Sequence, residues 1–329
     1  MTEDKSAADE LIAALEQEGA RDGPGEFTLA PEAARTKMQQ FQLREPLQFV
    51  LLLVQAASLR GSRRISFEFD ADDLRMVFDG QGISSRELEG LHGTLFAPCP
   101  DSMAASLQEL ALACNAAEAL SPAFVQVRST TEQGTFELEI CPGLPLTFGP
   151  AGPLDWPTRI QVRMWVGRLP HKAVRELLIA RCRYASQEIF LDRSRISRGM
   201  KLEGTLPQVP IKGPDSKGVA GWSSKGDIRR GELRIVKNGA WITTLSPPFL
   251  LPGAIVVIED NRIRKALSQD AVVQDAALAS VLETARAAQG DAHRALIQSK
   301  TGEQYNDDPQ VRHRTKLLLR RSGPLPRSR

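Results

Sequence analysis

Between residues 64 and 78 the chain alternates polar and apolar side chains twice over. Arg64-Ile65-Ser66-Phe67-Glu68-Phe69 and Leu74-Arg75-Met76-Val77-Phe78 each put every second residue on one face, and the acidic stretch 70–73 turns the chain between them. A period of two is strand geometry, and one apolar face means a sheet covered on one side. The cover is written on either side of the hairpin. Leu47, Val50, Leu51 and Val54 recur at helical spacing in a segment that opens after Pro46 and stops near Gly61, and an Ala/Leu-rich helix pattern covers 102–120. Two more alternating runs, 124–128 and 135–140, follow it. This order is expected to fold as an α/β sandwich, a mixed or antiparallel sheet with helices on one face.

Residues 141–156 hold four prolines and three glycines, and the division between two domains is expected there. The chain is thus divided into an N-terminal helix and linker (1–26), a first α/β domain (27–145), a second α/β domain (157–290) and a basic tail (291–329). For the second domain the patterns predict a strand at 158–165, a helix at 172–184 and a strand at 188–192. A long irregular loop is expected at 204–226, then strands at 231–236, 240–245 and 254–258 and a helix at 274–289.

A net charge of +2 gives no global attraction to nucleic acid or membrane. The longest apolar runs, 49–54 and 255–258, are too short to span a bilayer, and no basic segment leads into an apolar one at the N-terminus. A cytoplasmic protein without a membrane partner is expected. Cys99, Cys114, Cys141 and Cys182 are widely spaced, as are the four histidines, so reduced thiols and no metal site are expected.

Three segments, in order, carry a resemblance. Leu43–Ser58 (LREPLQFVLLLVQAAS) resembles the helix of an E-L-x-x-N-A-x-D-A box. Val77–Ser84 (VFDGQGIS) is similar to a strand leading into a D-x-G-x-G loop. Ala254–Asp270 (AIVVIEDNRIRKALSQD) resembles a middle-domain segment G-V-V-D-x-x-D-L-P-L-N-x-S-R-E. All three belong to the ninety-kilodalton heat-shock chaperone branch of the GHKL (Bergerat-fold) ATPase superfamily. The resemblance covers most of residues 27–285 and implies an ATP-binding α/β domain followed by a chaperone-like middle domain.

The departures are chemical. The resemblance assigns Leu51 to the glutamate that activates water and Gln55 to the asparagine that holds magnesium, with Ser58 closing the box. Leucine abstracts no proton; glutamine still offers a carbonyl oxygen. The adenine-binding aspartate falls at Phe78, with Asp79 one position later on the opposite face of a strand; a one-residue slip would restore it. Gly80 and Gly82 of the loop remain. The glycine-rich phosphate loop is replaced by a glycine-free helix pattern that carries Glu109, and the γ-phosphate arginine corresponds to Gln269, with Arg262 and Arg264 nearby.

The expected function is therefore a degenerate, non-hydrolysing GHKL chaperone-like protein that binds a protein client or partner through residues 158–289, with no cofactor. Two alternatives stay open. A remodelled pocket would take ATP and magnesium through Asp79 and Gln55. A nucleic-acid accessory factor would use the seven cations of residues 312–329 and the cluster Arg181, Arg183, Arg193, Arg195 and Arg198.

Overall fold

The structure is a computed structural model, and it describes residues 45–166, 169–223, 230–266 and 268–298. The helix expected at 7–17 and the cations of 312–329 lie outside the described residues. The chain forms two sheets. The first has eight strands in the order β5-β4-β3-β6-β2-β1-β7-β8, and the second has five in the order β12-β11-β13-β10-β9.

After a 3-10 turn at Pro46–Gln48, helix α1 spans Phe49–Leu59. It ends because Gly61 takes φ +73, a left-handed conformation that glycine adopts without strain. Two reversed hydrogen bonds close the turn, Gly61 N–H to Ser58 O at 3.0 Å and Ser62 N–H to Ala57 O at 3.2 Å, the Schellman pattern. Every residue from Phe49 to Ala57 is buried, so α1 is covered on all sides rather than on one stripe.

Strands β1 (Arg64–Phe69) and β2 (Asp73–Phe78) pair antiparallel, as expected from their alternation. The loop after β2 enters the short helix α2 (Ser85–Glu89) through a capping box in which Ser84 and Glu87 exchange hydrogen bonds. Helix α3 spans Ser102–Glu118, capped by Asp101. It lies against α1, where the Ser106 hydroxyl donates to Ala56 O at 2.8 Å. Strands β3 (Phe124–Thr131) and β4 (Gly134–Ile140) follow, with β5 (Thr147–Pro150) at the sheet edge.

The division expected at residues 141–156 is corrected by the sheet itself. Strand β6 (Thr158–Arg163) lies in the middle of the first sheet, antiparallel to β3 on one side and β2 on the other. After helix α4 (His171–Arg181), β7 (Glu188–Leu191) pairs parallel with β1, and β8 (Ser194–Arg195) completes the edge. The chain crosses to the second sheet only between Arg195 and Thr205. Prolines and glycines mark a turn-rich connection; they do not say whether the next strand returns to the same sheet.

The irregular loop expected at 204–226 is also corrected. Residues there form the antiparallel pair β9 (Thr205–Lys212) and β10 (Ser216–Ser223). Pro207, Pro210 and Gly218 hid the strand pattern; β9 is an edge strand, where proline removes no ladder bond that the sheet needs. Strands β11 (Glu232–Lys237) and β12 (Ala240–Leu245) join through an Asn238-Gly239 turn, both residues at positive φ. Strand β13 (Ala254–Asp260) is buried at every position, between β11 and β10, which is why its first five residues are an unbroken apolar run. Helix α5 runs Ala276–Gln298, past residue 290 where the tail was expected to begin, and packs across β9, β10 and β13.

Candidate functional site

The two sheets meet where α1 and α3 face the β11–β12 turn and the loop after β13. The positions singled out from sequence have the following surroundings. Leu51 is 6% exposed and Phe78 1%, and both belong to the core of the first sheet. Phe78 shares the covered face of β2 with Leu74 and Met76. No proton acceptor stands at the first position, and a phenyl ring packed among helix side chains stands at the second.

Asp79 is committed to the backbone. Its Oδ1 accepts from Arg63 N–H and Arg64 N–H, each at 2.8 Å, and from the Ser62 hydroxyl at 2.9 Å. Burial alone would raise its pKa; the bonds from Arg64, Ser62 and Arg63 outweigh that and hold the carboxyl below the usual aspartate value. Asp79 therefore pins the turn between α1 and β1.

Gly80 and Gly82 are required by packing. A Cβ on Gly80 would lie 2.9 Å from Arg60 O, and one on Gly82 would lie 2.3 Å from Thr130 O. The loop is clamped from three directions. Arg60, its side chain buried, donates to Gly82 O at 2.7 Å and to Glu87 at 2.7 Å. Ile83 N–H donates to the Ser129 hydroxyl at 2.7 Å, and that hydroxyl lies 2.9 Å from Thr158 Oγ1 on β6. Burial raises Glu87, while its bonds with Ser84 and Arg60 bring it below the ordinary glutamate value.

Gln55 is 1% exposed and has a partner that the sequence did not suggest. Lys265, from the loop after β13, reaches into the first sheet's helices. Its Nζ donates to Gln55 Oε1 at 2.5 Å and to Glu109 Oε2 at 2.7 Å. The pair is dry, with side-chain exposures of 6% for Lys265 and 10% for Glu109. Burial pushes the Lys265 ammonium below its usual value, and Glu109 opposes it. Burial pushes Lys237 down as well, and its Nζ donates to Asn261 O at 2.6 Å and Ile263 O at 2.7 Å. The oxygen that a metal cation would use on Gln55 is thus taken by an ammonium that the chain supplies.

The remaining expectations separate. Ser58 donates back to Val54 O at 2.8 Å and abuts Gly239. Gln269 sits at φ +61 in a turn closed on Ala266 O; Lys265, four residues earlier, makes the contact with α1 and α3. Arg262 binds Asp260 and Asp215. The basic cluster divides: Arg181 stacks on Trp241 and Arg195 pairs with Glu188 at 2.7 Å, while Arg198, paired with Glu203, lies beside Arg183. Lys265 was missed because it sits among other cations. Glu109 held the signal, since a carboxylate amid Ala and Leu on a helix facing the core calls for a cationic partner.

Among the described residues no helix is long and apolar enough to cross a membrane. No family model matches the chain, and no curated protein matches its sequence. Among solved structures, the B-subunit of the DNA gyrase from Myxococcus xanthus matches it with a TM-score of 0.56 at 10% identity, over 82% of this chain and 96% of that one. At that identity the likeness speaks for the fold alone: this chain shares the fold of the gyrase B subunit.

Proposed function

We propose that the chain keeps the GHKL scaffold without its ATP cycle and works as a protein-interaction module. The observation that carries this reading is the buried contact of Lys265 with Glu109 and Gln55. It fills the ground between α1, α3 and the second sheet with the chain's own charges. The residues around it point the same way. Leu51 offers no base, Phe78 is spent on the core and Asp79 on a turn. The set does not fit ATP with magnesium.

The finer resemblance to the ninety-kilodalton chaperones rests on the three motifs and suggests a client-binding role for residues 158–289. That stretch exposes Trp165 at 57%, Val166 at 88% and Ile179 at 43%, apolar side chains of the kind that a partner protein covers. Calorimetric titration with ATP, ADP and a non-hydrolysable analogue, with and without magnesium, tests the proposal. The expected result is no magnesium-dependent binding up to millimolar nucleotide. Magnesium-dependent binding that disappears in Gln55→Ala would overturn it.

A further inference from the structure

A second concavity lies away from the Lys265 contact, where the crossover between the sheets passes over the second sheet. It is a cleft of about 550 Å³, lined among others by Arg183, Tyr184, Arg198, Lys201, Glu203 and Arg234. Its walls are held in place. The Gln208 amide clamps Leu202 through both its atoms, accepting from Leu202 N–H at 3.0 Å and donating to Leu202 O at 2.5 Å. Arg198 N–H donates to Arg183 O at 2.7 Å. Arg234 is fixed by Glu232 at 2.6 Å, by the Tyr184 hydroxyl at 2.5 Å and by stacking on Trp241.

The charges lining the cleft do not balance. Four cations face one carboxylate, Glu203, which is paired with Arg198. Among the described residues the side chains of Arg183 and Lys201 make no ion pair, and the buried Arg183 Nε has no hydrogen-bond partner. A buried guanidinium N–H without an acceptor is costly, and a cleft of one sign concentrates counter-ions. A volume of this order suits a small molecule. Arginine pairs with phosphoryl oxygens in a planar, two-pronged contact, and with Arg198 paired to Glu203 and Arg234 to Glu232 the two remaining cations, Arg183 and Lys201, call for a multiply charged anion.

We propose that this cleft binds a small phosphorylated molecule, its phosphoryl group held by Arg183 and Lys201. The inference is independent of the reading of the Lys265 contact. The test is calorimetric titration of the full chain with inorganic pyrophosphate, and with citrate at matched ionic strength. Saturable one-to-one binding of pyrophosphate is expected, weakening as salt is added. It should fall by about tenfold to a hundredfold in Arg183→Gln, fall also in Lys201→Gln, and persist in Gln55→Ala. Because the Arg183 side chain makes no ion pair among the described residues, Arg183→Gln should melt no lower than the parent, and Lys201→Gln at an exposed position gives a second readout. Ribose 5-phosphate and O-phosphoserine, titrated in parallel, assign the carrier of the phosphoryl group. Absence of saturable binding, equal binding in both variants, tighter binding of citrate, or binding of a phosphopeptide but of none of the small molecules would each overturn the proposal.

Discussion

Asp79 receives three hydrogen bonds on one oxygen, two of them from backbone N–H groups. Asp79→Ala should therefore destabilise the chain by about 0.5–1.5 kcal/mol, since it removes the hydrogen bonds that an exposed carboxyl makes to this turn; urea titration followed by circular dichroism measures it. Gly82→Ala forces a methyl to within 2.3 Å of Thr130 O, and the displacement of β3 or the loop should cost about 1–3 kcal/mol. Both values are structural and neither depends on a ligand. The carboxyls also set the response to acid. Asp73 is lowered chiefly by its bond with Arg163, and Asp79 and Glu87 are lowered by their hydrogen bonds against opposing burial. Each is thus more acidic folded than unfolded, so its stabilisation is full above the unfolded values of 3.8 for aspartate and 4.5 for glutamate. It is lost as pH falls through the lower folded values. The melting temperature should drop steeply below about pH 4.5, and less steeply in Asp79→Asn, as differential scanning fluorimetry across pH would record.

Each sheet carries its own helical cover, and the elements differ in how much of their packing was readable. Helix α5 sets Leu278, Val281 and Ala285 on the second sheet at helical spacing. Leu278→Ala should cost about 2–5 kcal/mol, the usual range for emptying a core leucine site, measured by chemical denaturation. The hairpin β1–β2 and helices α1 and α3 were legible because their patterns are local, and α1 has a chemical stop at Gly61. Strand β6 was legible as a strand but not as a neighbour of β2 and β3. Strand β9 was hidden by prolines that an edge position tolerates, and β10 by Gly218, where a Cβ would lie 2.0 Å from Val257 O.

At the scale of the molecule, the two halves are tied by a lysine that crosses from one to the other. Lys265→Met removes the charge opposite Glu109 and leaves that carboxylate buried alone, which should cost about 3–5 kcal/mol. The double variant Lys265→Met/Glu109→Gln should recover much of the loss. A guanidinium titration of all three proteins checks this, and equal stability of the single variant and parent would show that the tie carries no weight. The alkaline side follows from the same pair. Lys265 and Lys237 are depressed by burial, so the unfolded chain holds more protons as pH approaches the ordinary lysine value of 10.5. Their contribution to stability therefore rises with pH in that window.

Periodicity, helix stops and the apolar run of β13 are properties of short stretches, and they determined the α/β class and most of the elements from sequence alone. What Asp79, Gly80 and Gly82 do was decided only by the fold, because each answers to a group far along the chain: Arg63 and Arg64, Arg60 and Thr130. The same holds for Lys265 with Glu109, separated by 156 residues, and for the cations of the Arg183 cleft. A buried charge finds its partner in space, and spacing along the chain does not carry that distance.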